Sequence, residues 1–419
     1  MAPRRRRGAD SDSAQDEPAA ADVADAPKNR PPNTAFRQQR MRAWQCVLTP
    51  KLIVTVFSVL AAIYLGFGAY LTYLAYTVRD ITVNYSDCMD KAPRNPPDGK
   101  FGVMPEDLIT YHFSSNMDVN LPPKVAGWKL EDRLYTYPDT KVTVNKTMCL
   151  IQINIPEDLK PTVSFYYYLE NFYQNHRRYV GSFNAKQLLG EAVDGATLNS
   201  STCDPVAHDS SGKIVYPCGI VANSMFNDSF SSPVRVNAQD SSPNSTYLMS
   251  NQSITWPGLK DLYGKTKYDI KDIVPPPNWV DRFPDKKYTL ETLPDLATWE
   301  GFQNWMMLAA APNFYKLYQR NDRDVMQKGK YQIDIASDFN TTIYNGRKSF
   351  VITTVSTMGS RNIWPGIIFL IVGGICLLLD VYFILSFFLW KPRKLGDPSY
   401  LSWNQPSAAG NTQAGAAPL

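Results

Sequence analysis

Two long apolar runs constrain this chain more than any other feature of its sequence. Residues 52–78 contain no charged side chain, and residues 362–390 contain only one, Asp380. At ~1.5 Å of helical rise per residue, each run is long enough to cross a hydrocarbon core of ~30 Å. We therefore predict two transmembrane helices, with both tails on one side of the membrane and residues 79–361 together on the other.

Basic residues next to the apolar runs indicate the orientation. Arg4 to Arg7 precede the first run, and Lys391, Arg393 and Lys394 follow the second. Segments rich in Lys and Arg stay in the cytosol, so we expect cytosolic tails and a lumenal or extracellular domain. The first run is too long for the apolar region of a signal peptide, and we interpret it as an uncleaved signal anchor.

These features divide the chain into six segments. Residues 1–32 have almost no large apolar side chains, cannot bury a core, and are predicted to be a disordered tail. The remaining predicted segments are a juxtamembrane cytosolic segment (33–51), a first span (52–78), the large domain (79–361), a second span (362–390) and a cytosolic tail (391–419).

Seven Asn-x-Ser/Thr sequons lie between the apolar runs, and none lies in a tail. Sequons also arise by chance in polar sequence, so we expect only part of them to carry glycans. Asn84 is a doubtful site because it lies only a few residues beyond the bilayer. The predicted glycosylation sites are Asn145, Asn199, Asn227, Asn244, Asn251 and Asn340.

Four of the six cysteines also lie between the runs, an even number in an oxidising compartment. Four cysteines allow three pairings, and we prefer Cys88–Cys149 and Cys203–Cys218. The second pair closes a short loop, which is worth roughly 3 kcal/mol in the chain-entropy model. The other two cysteines are expected to remain thiols.

Period-two patterns predict that the large domain is mainly β. Strands are predicted at residues 81–85, 149–155, 163–169, 331–335 and 350–355. The first and last of these adjoin the spans, which suggests an antiparallel sheet standing on the membrane. One helix is predicted from Leu296 to Ala309, capped by Asp295 and ended by Pro312, with an aromatic and Met face in the core. The fold class is thus a two-span membrane protein with a β-rich (α+β), disulfide-bonded, glycosylated ectodomain.

Asp380 is the one anomaly of the second span. A carboxylate at the centre of a span costs ~2.5–3.5 kcal/mol on insertion scales, and less away from the centre. The side chain either reaches toward the headgroups or is protonated, or it pairs with a polar group on a partner helix. The sequence leaves both interpretations open.

No motif in the sequence indicates catalysis. Residues 258–266 end in Gly-Lys-Thr, but five residues instead of four separate their glycines, so they do not match a phosphate loop. The cluster at 176–178 (His-Arg-Arg) lacks the Asp of a kinase catalytic loop, and we interpret it as stabilising the fold beside Tyr173 and Tyr179. The three histidines show no metal-ligand spacing. We expect neither an enzyme nor a cofactor, and no nucleic-acid partner.

Six stretches carry a resemblance to a known family. They are 33–40 (NTAFRQQR), 155–159 (IPEDL), 171–180 (NFYQNHRRYV), 218–230 (CGIVANSMFNDSF), 254–257 (ITWP) and 395–404 (LGDPSYLSWN). The chain resembles the cell-division-cycle-fifty family, and fungal members most closely. Members of this family are accessory (beta) subunits of type-four P-type ATPases, the phospholipid flippases.

The resemblance implies a function as well as a fold. The protein would bind the catalytic ATPase, allow it to leave the endoplasmic reticulum and support its transport cycle, while ATP hydrolysis and lipid translocation belong to the partner. It would reside in the endoplasmic reticulum, the Golgi or endosomes, or the plasma membrane, in contact with membrane lipids. A stand-alone two-span receptor or adhesion glycoprotein is the main alternative, and a lumenal enzyme acting on glycans or lipids is the second.

The family's N-terminal segment touches the cytosolic part of the ATPase, which implies partner contacts in this segment. Asp380 is a further candidate, through the partner-helix interpretation given above. The predicted partner-binding residues are Asn33, Phe36, Gln38, Gln39, Arg40 and Asp380.

Overall fold

The computed structural model describes residues 34, 36–37, 49–137, 140–199, 202–236, 246–279, 282–283 and 285–389. These residues fall into two compact units. One unit contains the described residues up to Leu60 and from Cys376 onward, and the other contains residues 61–375.

Two helices are long and apolar enough to cross a membrane, α1 (Pro50–Thr77) and α9 (Trp364–Leu389). They cover most of the predicted spans at 52–78 and 362–390. The Thr49 hydroxyl accepts the N–H of Leu52 at the start of α1, and Pro50 follows it at the first helical position. The Asn362 side chain accepts the N–H of Trp364 at the start of α9. Polar caps therefore define where both helices begin.

The other helices are short. They are α2 (Cys88–Lys91), α3 (Arg177–Val180), α4 (Ala185–Leu188), α5 (Gly195–Asn199), α6 (Ile220–Asn223), α7 (Pro257–Lys260) and α8 (Glu300–Met306). Single 3₁₀ turns occupy Glu106–Leu108, Ile270–Asp272, Pro277–Trp279 and Thr342–Tyr344. Helix α8 is shorter than the predicted helix at 296–309, because Asp295 forms a turn with the N–H of Ala297 and Met307 is already extended. Its predicted core face is confirmed, since Leu296 and Phe302 are fully buried.

The described residues form thirteen strands. They are β1 (Asp80–Asn84), β2 (Gly102–Val103), β3 (Ile109–His112), β4 (Gly127–Thr136), β5 (Thr143–Ile155), β6 (Val163–Glu170), β7 (Ile214–Val215), β8 (Ser229–Phe230), β9 (Val234–Arg235), β10 (Ile273–Val274), β11 (Phe314–Asn321), β12 (Gly329–Ala336) and β13 (Arg347–Thr354). All five predicted strands are present, and the β-rich, antiparallel fold class is confirmed.

Two main sheets are present where the sequence suggested one. The five-stranded sheet has the order β11-β6-β13-β1-β3, and the six-stranded sheet has the order β2-β4-β5-β12-β8, with β9 also paired to β12. Strand β1 follows α1 and pairs antiparallel with β13, which leads to α9. The predicted pairing of the two strands next to the spans is therefore confirmed.

One large hydrophobic core unites the buried faces of both sheets. Ile81 and Val83 of the five-stranded sheet belong to it, as do Ile151 and Ile153 of the six-stranded sheet. Their alternation with polar residues is what made these strands visible in the sequence. Burying one such aliphatic side chain contributes about 1.5–3 kcal/mol, so this core is the main source of the domain's stability.

Two disulfides are present, Cys88–Cys149 and Cys203–Cys218, which are the pairs preferred from the sequence. The first joins α2 to β5 and closes a long loop, with a sequence separation of 61 residues. The second closes a loop with a separation of 15 residues. Both constrain the unfolded chain, and the longer loop removes more of its entropy.

Candidate functional site

A buried ion pair lies at the centre of the large domain. The Lys348 ammonium lies 2.8 Å from an Asp228 carboxylate oxygen, and the two side chains are 4% and 0% exposed. Asp228 also accepts hydrogen bonds from the Tyr85 hydroxyl and from two backbone N–H groups of residues 337–339. Lys348 donates to a hydroxyl and a carbonyl of the same loop. Every charged atom is therefore paired, as a buried charge requires.

Charged side chains also hold both ends of α8. Glu300 accepts the backbone N–H groups of residues 254–255 and lies 2.7 Å from the Lys260 ammonium. Burial alone would raise the pKa of Glu300, but the hydrogen bonds from Lys260 and the backbone outweigh it and lower the pKa. At the other end, the buried Lys316 donates to carbonyl oxygens of the last turn. Burial lowers the pKa of Lys316 to about 8.

The stretch 155–159 fastens the end of α1 to the large domain. Glu157 forms an ion pair of 2.9 Å with Arg79 and accepts two hydrogen bonds from Ser114. Arg79 in turn donates to the carbonyl oxygen of Tyr76 in the last turn of α1. This stretch, one of those that carry the family resemblance, therefore has a structural role at the exit from the membrane.

The basic cluster at 176–178, which we interpreted from the sequence as stabilising the fold, is exposed. That interpretation is wrong for the two arginines. Neither Arg177 nor Arg178 makes a side-chain hydrogen bond or ion pair to another described residue. The neighbouring Tyr179 is buried, and its hydroxyl contacts that of Ser224. The structural contacts of this stretch are therefore those of Tyr179 and of His176, whose Nδ1 accepts the N–H of Arg178 at the start of α3.

Within residues 61–375, glycines allow the two long helices to pack closely. A Cβ atom on Gly366 would lie 2.4 Å from the Thr72 hydroxyl, and one on Gly373 would lie 2.9 Å from Leu65. Gly68 is equally close to Leu370, whereas Gly66 has open space around it. The two glycines of the first span thus differ in their surroundings. Gly68 lies against the chain's own second span, and Gly66 does not.

Asp380 lies in the other compact unit and contacts the chain's own first helix. The Ser58 hydroxyl donates a hydrogen bond of 2.7 Å to Oδ2 of Asp380, and the aspartate is 5% exposed. Its second oxygen, Oδ1, is buried and has no partner among the described residues. Neither interpretation made from the sequence included Ser58. A contact between Asp380 and a partner helix stays a prediction.

Most of the predicted partner-binding segment cannot be placed. Asn33, Gln38, Gln39 and Arg40 lie outside the described residues. Phe36 is described and is highly exposed. The hydroxyl of Thr34 accepts the N–H of Arg37 three positions on, a contact typical of a capped turn.

The predicted glycosylation sites differ in accessibility. Asn145, Asn251 and Asn340 are exposed, while Asn227 is half-buried. Asn199 is the last residue of α5, and Asn244 lies outside the described residues. The doubtful site, Asn84, lies on β1, is half-buried, and accepts the N–H of Ser86 through its own side chain. The exposed asparagines are the ones whose side chains a glycan could extend from without rearrangement.

No group of three or more His, Cys, Asp or Glu side chains suited to a metal ion occurs among the described residues. The described residues consist mainly of the two long helices and the β-rich domain joined to them. Two such helices joined to one β-rich, disulfide-bonded domain define a class of two-span integral membrane proteins.

Comparisons with known proteins identify the family within this class. Residues 71–394 match the sequence model of the LEM3 (ligand-effect modulator 3) family / CDC50 family. The chain is 65% identical over 413 residues to the "Phospholipid-transporting ATPase accessory subunit CDC50" of Chaetomium thermophilum, covering 98% of this chain and 99% of that protein. It is 38% identical to the accessory subunit CRF1 of Saccharomyces cerevisiae, with 89% of each covered. It is 30% identical to "Cell cycle control protein 50A" of Mus musculus, covering 88% of this chain and 93% of that protein.

The chain belongs to the LEM3/CDC50 family. This is the cell-division-cycle-fifty family named from the sequence motifs, and that identification is confirmed.

Proposed function

We propose that this protein is a non-catalytic accessory subunit of a phospholipid flippase. It would be needed for folding, exit from the endoplasmic reticulum and the transport cycle of a catalytic P-type ATPase, which moves phospholipid to the cytosolic leaflet. The observation that carries the proposal is the 65% identity, over nearly the full length of both chains, to a protein named as an accessory subunit of a phospholipid-transporting ATPase.

The physical role we propose is that of a clamp. The large domain is stiffened by two disulfides, one continuous core and a fully paired buried ion pair. A rigid body that binds one conformation of the ATPase better than the others shifts the transport cycle by that difference in affinity. The domain would cover the lumenal loops of the partner, and the helix pair would pack against a partner helix.

We propose that both tails are cytosolic and that the large domain is lumenal or extracellular. The basic residues beside the spans support this orientation, and the exposed Asn145, Asn251 and Asn340 support glycosylation on the same side as the disulfides. The segment 33–51 would then reach the cytosolic part of the ATPase. Amidase deglycosylation of the full chain, followed by mapping of the asparagines that it converts to aspartate, tests this arrangement.

Purification in a mild detergent tests the proposed function. We expect a type-four P-type ATPase to co-purify with the chain in a one-to-one ratio. The matched control is the same purification after the complex has been dissociated by a harsh detergent. A lone, monodisperse glycoprotein obtained under mild conditions would contradict the proposal and favour a stand-alone receptor.

A further inference from the structure

A small cavity lies on the outer face of the five-stranded sheet. Its volume is about 110 Å³, and the residues that matter here are Asp80, Thr82, Tyr166, Tyr315, Ser360 and Arg361. Ile81 and Val83 point into the core with no exposure, so Asp80 and Thr82 on the same strand point away from it. The cavity is therefore separate from the hydrophobic core of the domain.

The charges in this cavity are incompletely paired. Oδ1 of Asp80 lies 3.9 Å from Nη1 of Arg361, too far for a hydrogen bond, and makes no hydrogen bond to any described residue. Burial raises the pKa of Asp80, and Arg361 and His112 oppose this only in part. The site thus holds a carboxylate that would gain from a further cation, beside a guanidinium free to bind an anion.

Two tyrosines complete the wall around these charges. Tyr166 lies on β6, opposite Val351 of β13, which in turn lies opposite Thr82 of β1. Tyr315 of β11 stacks on Tyr168, with 4.2 Å between the ring centroids, and this contact holds its ring in place. Aromatic ring faces attract quaternary or primary ammonium groups.

The position of the cavity suggests the kind of ligand. Asp80 follows Thr77, the last residue of α1, by three positions, and Arg361 precedes Trp364, the first residue of α9, by three. At ~1.5 Å per residue both helices are about 40 Å long, close to the ~40–45 Å thickness of a bilayer with its headgroups. Residues just beyond the ends of both helices therefore lie at the outer boundary of the headgroup layer, within reach of a lipid headgroup.

We propose that this cavity binds the headgroup of a zwitterionic phospholipid from the leaflet on the side of the large domain. The lipid ammonium contacts the Asp80 carboxylate and the faces of Tyr166 and Tyr315, and the phosphodiester contacts Arg361. Guanidinium groups suit phosphate because they offer several donors in a planar fork. The proposal requires only that both helices cross the membrane, so it can fail without affecting the proposed flippase role.

Lipid retention measured by native mass spectrometry tests the site. The full chain is released from nanodiscs of phosphatidylcholine or of phosphatidylglycerol, which has the phosphate but not the ammonium. We expect a single phosphatidylcholine to stay bound after the bulk lipid is stripped, and phosphatidylglycerol to be lost. Asp80→Asn removes an ion pair with the choline ammonium, and Arg361→Gln removes a charge-assisted hydrogen bond to the phosphate, so each should lower retention about tenfold.

A second set of variants separates binding from folding. Thr82→Phe fills the cavity with a residue that suits a strand and leaves both charges in place, so it should abolish retention. Asp132→Asn and Arg94→Gln alter a matched surface ion pair of 3.0 Å on the six-stranded sheet and should retain lipid as the unaltered chain does. Equal retention in the cavity variants and the controls, or no preference for phosphatidylcholine over phosphatidylglycerol, would overturn the proposal. Finding that a lysine side chain of a partner protein occupies the cavity in place of lipid would overturn the proposal as well.

Discussion

Two pairs of oppositely charged residues in the large domain differ in how fully their hydrogen-bonding groups are paired. Asp228 and Lys348 lie 2.8 Å apart in the core, and hydrogen bonds use their remaining capacity. Asp80 and Arg361 lie 3.9 Å apart at the edge of the domain, with an oxygen left over. A fully paired charge has no capacity for a ligand and holds the fold together, whereas an incompletely paired charge in a cavity has binding capacity to spare.

The largest expected effect is that of breaking the core pair. Lys348→Met leaves the Asp228 carboxylate buried without its counterion, and we expect the free energy of unfolding to fall by about 3–5 kcal/mol. Chemical denaturation of the full chain in detergent measures this loss. The double variant D228N/K348M removes the stranded charge and should recover part of the stability. If Lys348→Met lowered the free energy of unfolding by less than about 1 kcal/mol, the buried pair would contribute no more than a surface ion pair, which would contradict this prediction.

Changing the buried Lys316, which makes no ion pair with a described carboxylate, should have an intermediate effect on stability. The pKa of Lys316 is about 8, below its usual 10.5, so the unfolded chain binds more protons between these values. Stability should therefore rise with pH, by about 2 kcal/mol between pH 8 and pH 10. Buried tyrosines with raised pKa values, such as Tyr216, oppose this only above pH 10. Unfolding measured across this window should show the rise in the unaltered chain and lose it in Lys316→Met.

The charge in the second span should have a smaller effect on stability. Ser58→Ala removes the one hydrogen-bond donor to Asp380 found among the described residues, and we expect a cost of about 1 kcal/mol. Asp380→Leu is expected to weaken assembly with the ATPase partner, measured as the fraction of ATPase that co-purifies. Unchanged co-purification of Asp380→Leu would end the idea that this carboxylate serves assembly. Ser58→Ala leaves Asp380 in place, so its co-purification shows whether assembly depends on the hydrogen bond between the two helices.

The smallest effect on stability is expected at the cavity. Because burial disfavours the ionised form of Asp80, Asp80→Asn should change the free energy of unfolding by no more than about 0.5 kcal/mol. Thermal unfolding without added lipid measures this change. A loss similar to that of Lys348→Met would mean that Asp80 is a structural residue, and the contrast between the two pairs would disappear.

Sequence patterns predicted the strands that bury one face and missed those that do not alternate. Strand β4 was missed because Asp132 interrupts the apolar positions Leu130 and Leu134 and no residue of its second half is buried. Strand β11 was missed because it places Lys316 on the buried side and changes register between Leu317 and Gln319. Its pairing with β6 becomes evident only in the folded domain.

The sites were harder to predict than the strands, for a related reason. Asp228 and Lys348 are 120 positions apart in sequence, and Asp80 and Arg361 lie at opposite ends of the domain. The pairing of β1 with β13 brings Asp80 and Arg361 together. Asp228 and Lys348 meet because Asp228 precedes β8 of the six-stranded sheet, which shares one core with β13 of the five-stranded sheet. Asp380 stood out because a charge in an apolar run is visible without any fold, but its contact with Ser58 depends on helix packing that the sequence does not specify.

The most direct test of the account is to follow the catalytic ATPase in cells that lack this chain. We predict that the ATPase stays in the endoplasmic reticulum and that uptake of fluorescent phospholipid into the cytosolic leaflet is lost. Re-expression of the chain should restore both. Normal delivery and normal lipid uptake in its absence would contradict the central claim that this protein is a required subunit of a flippase.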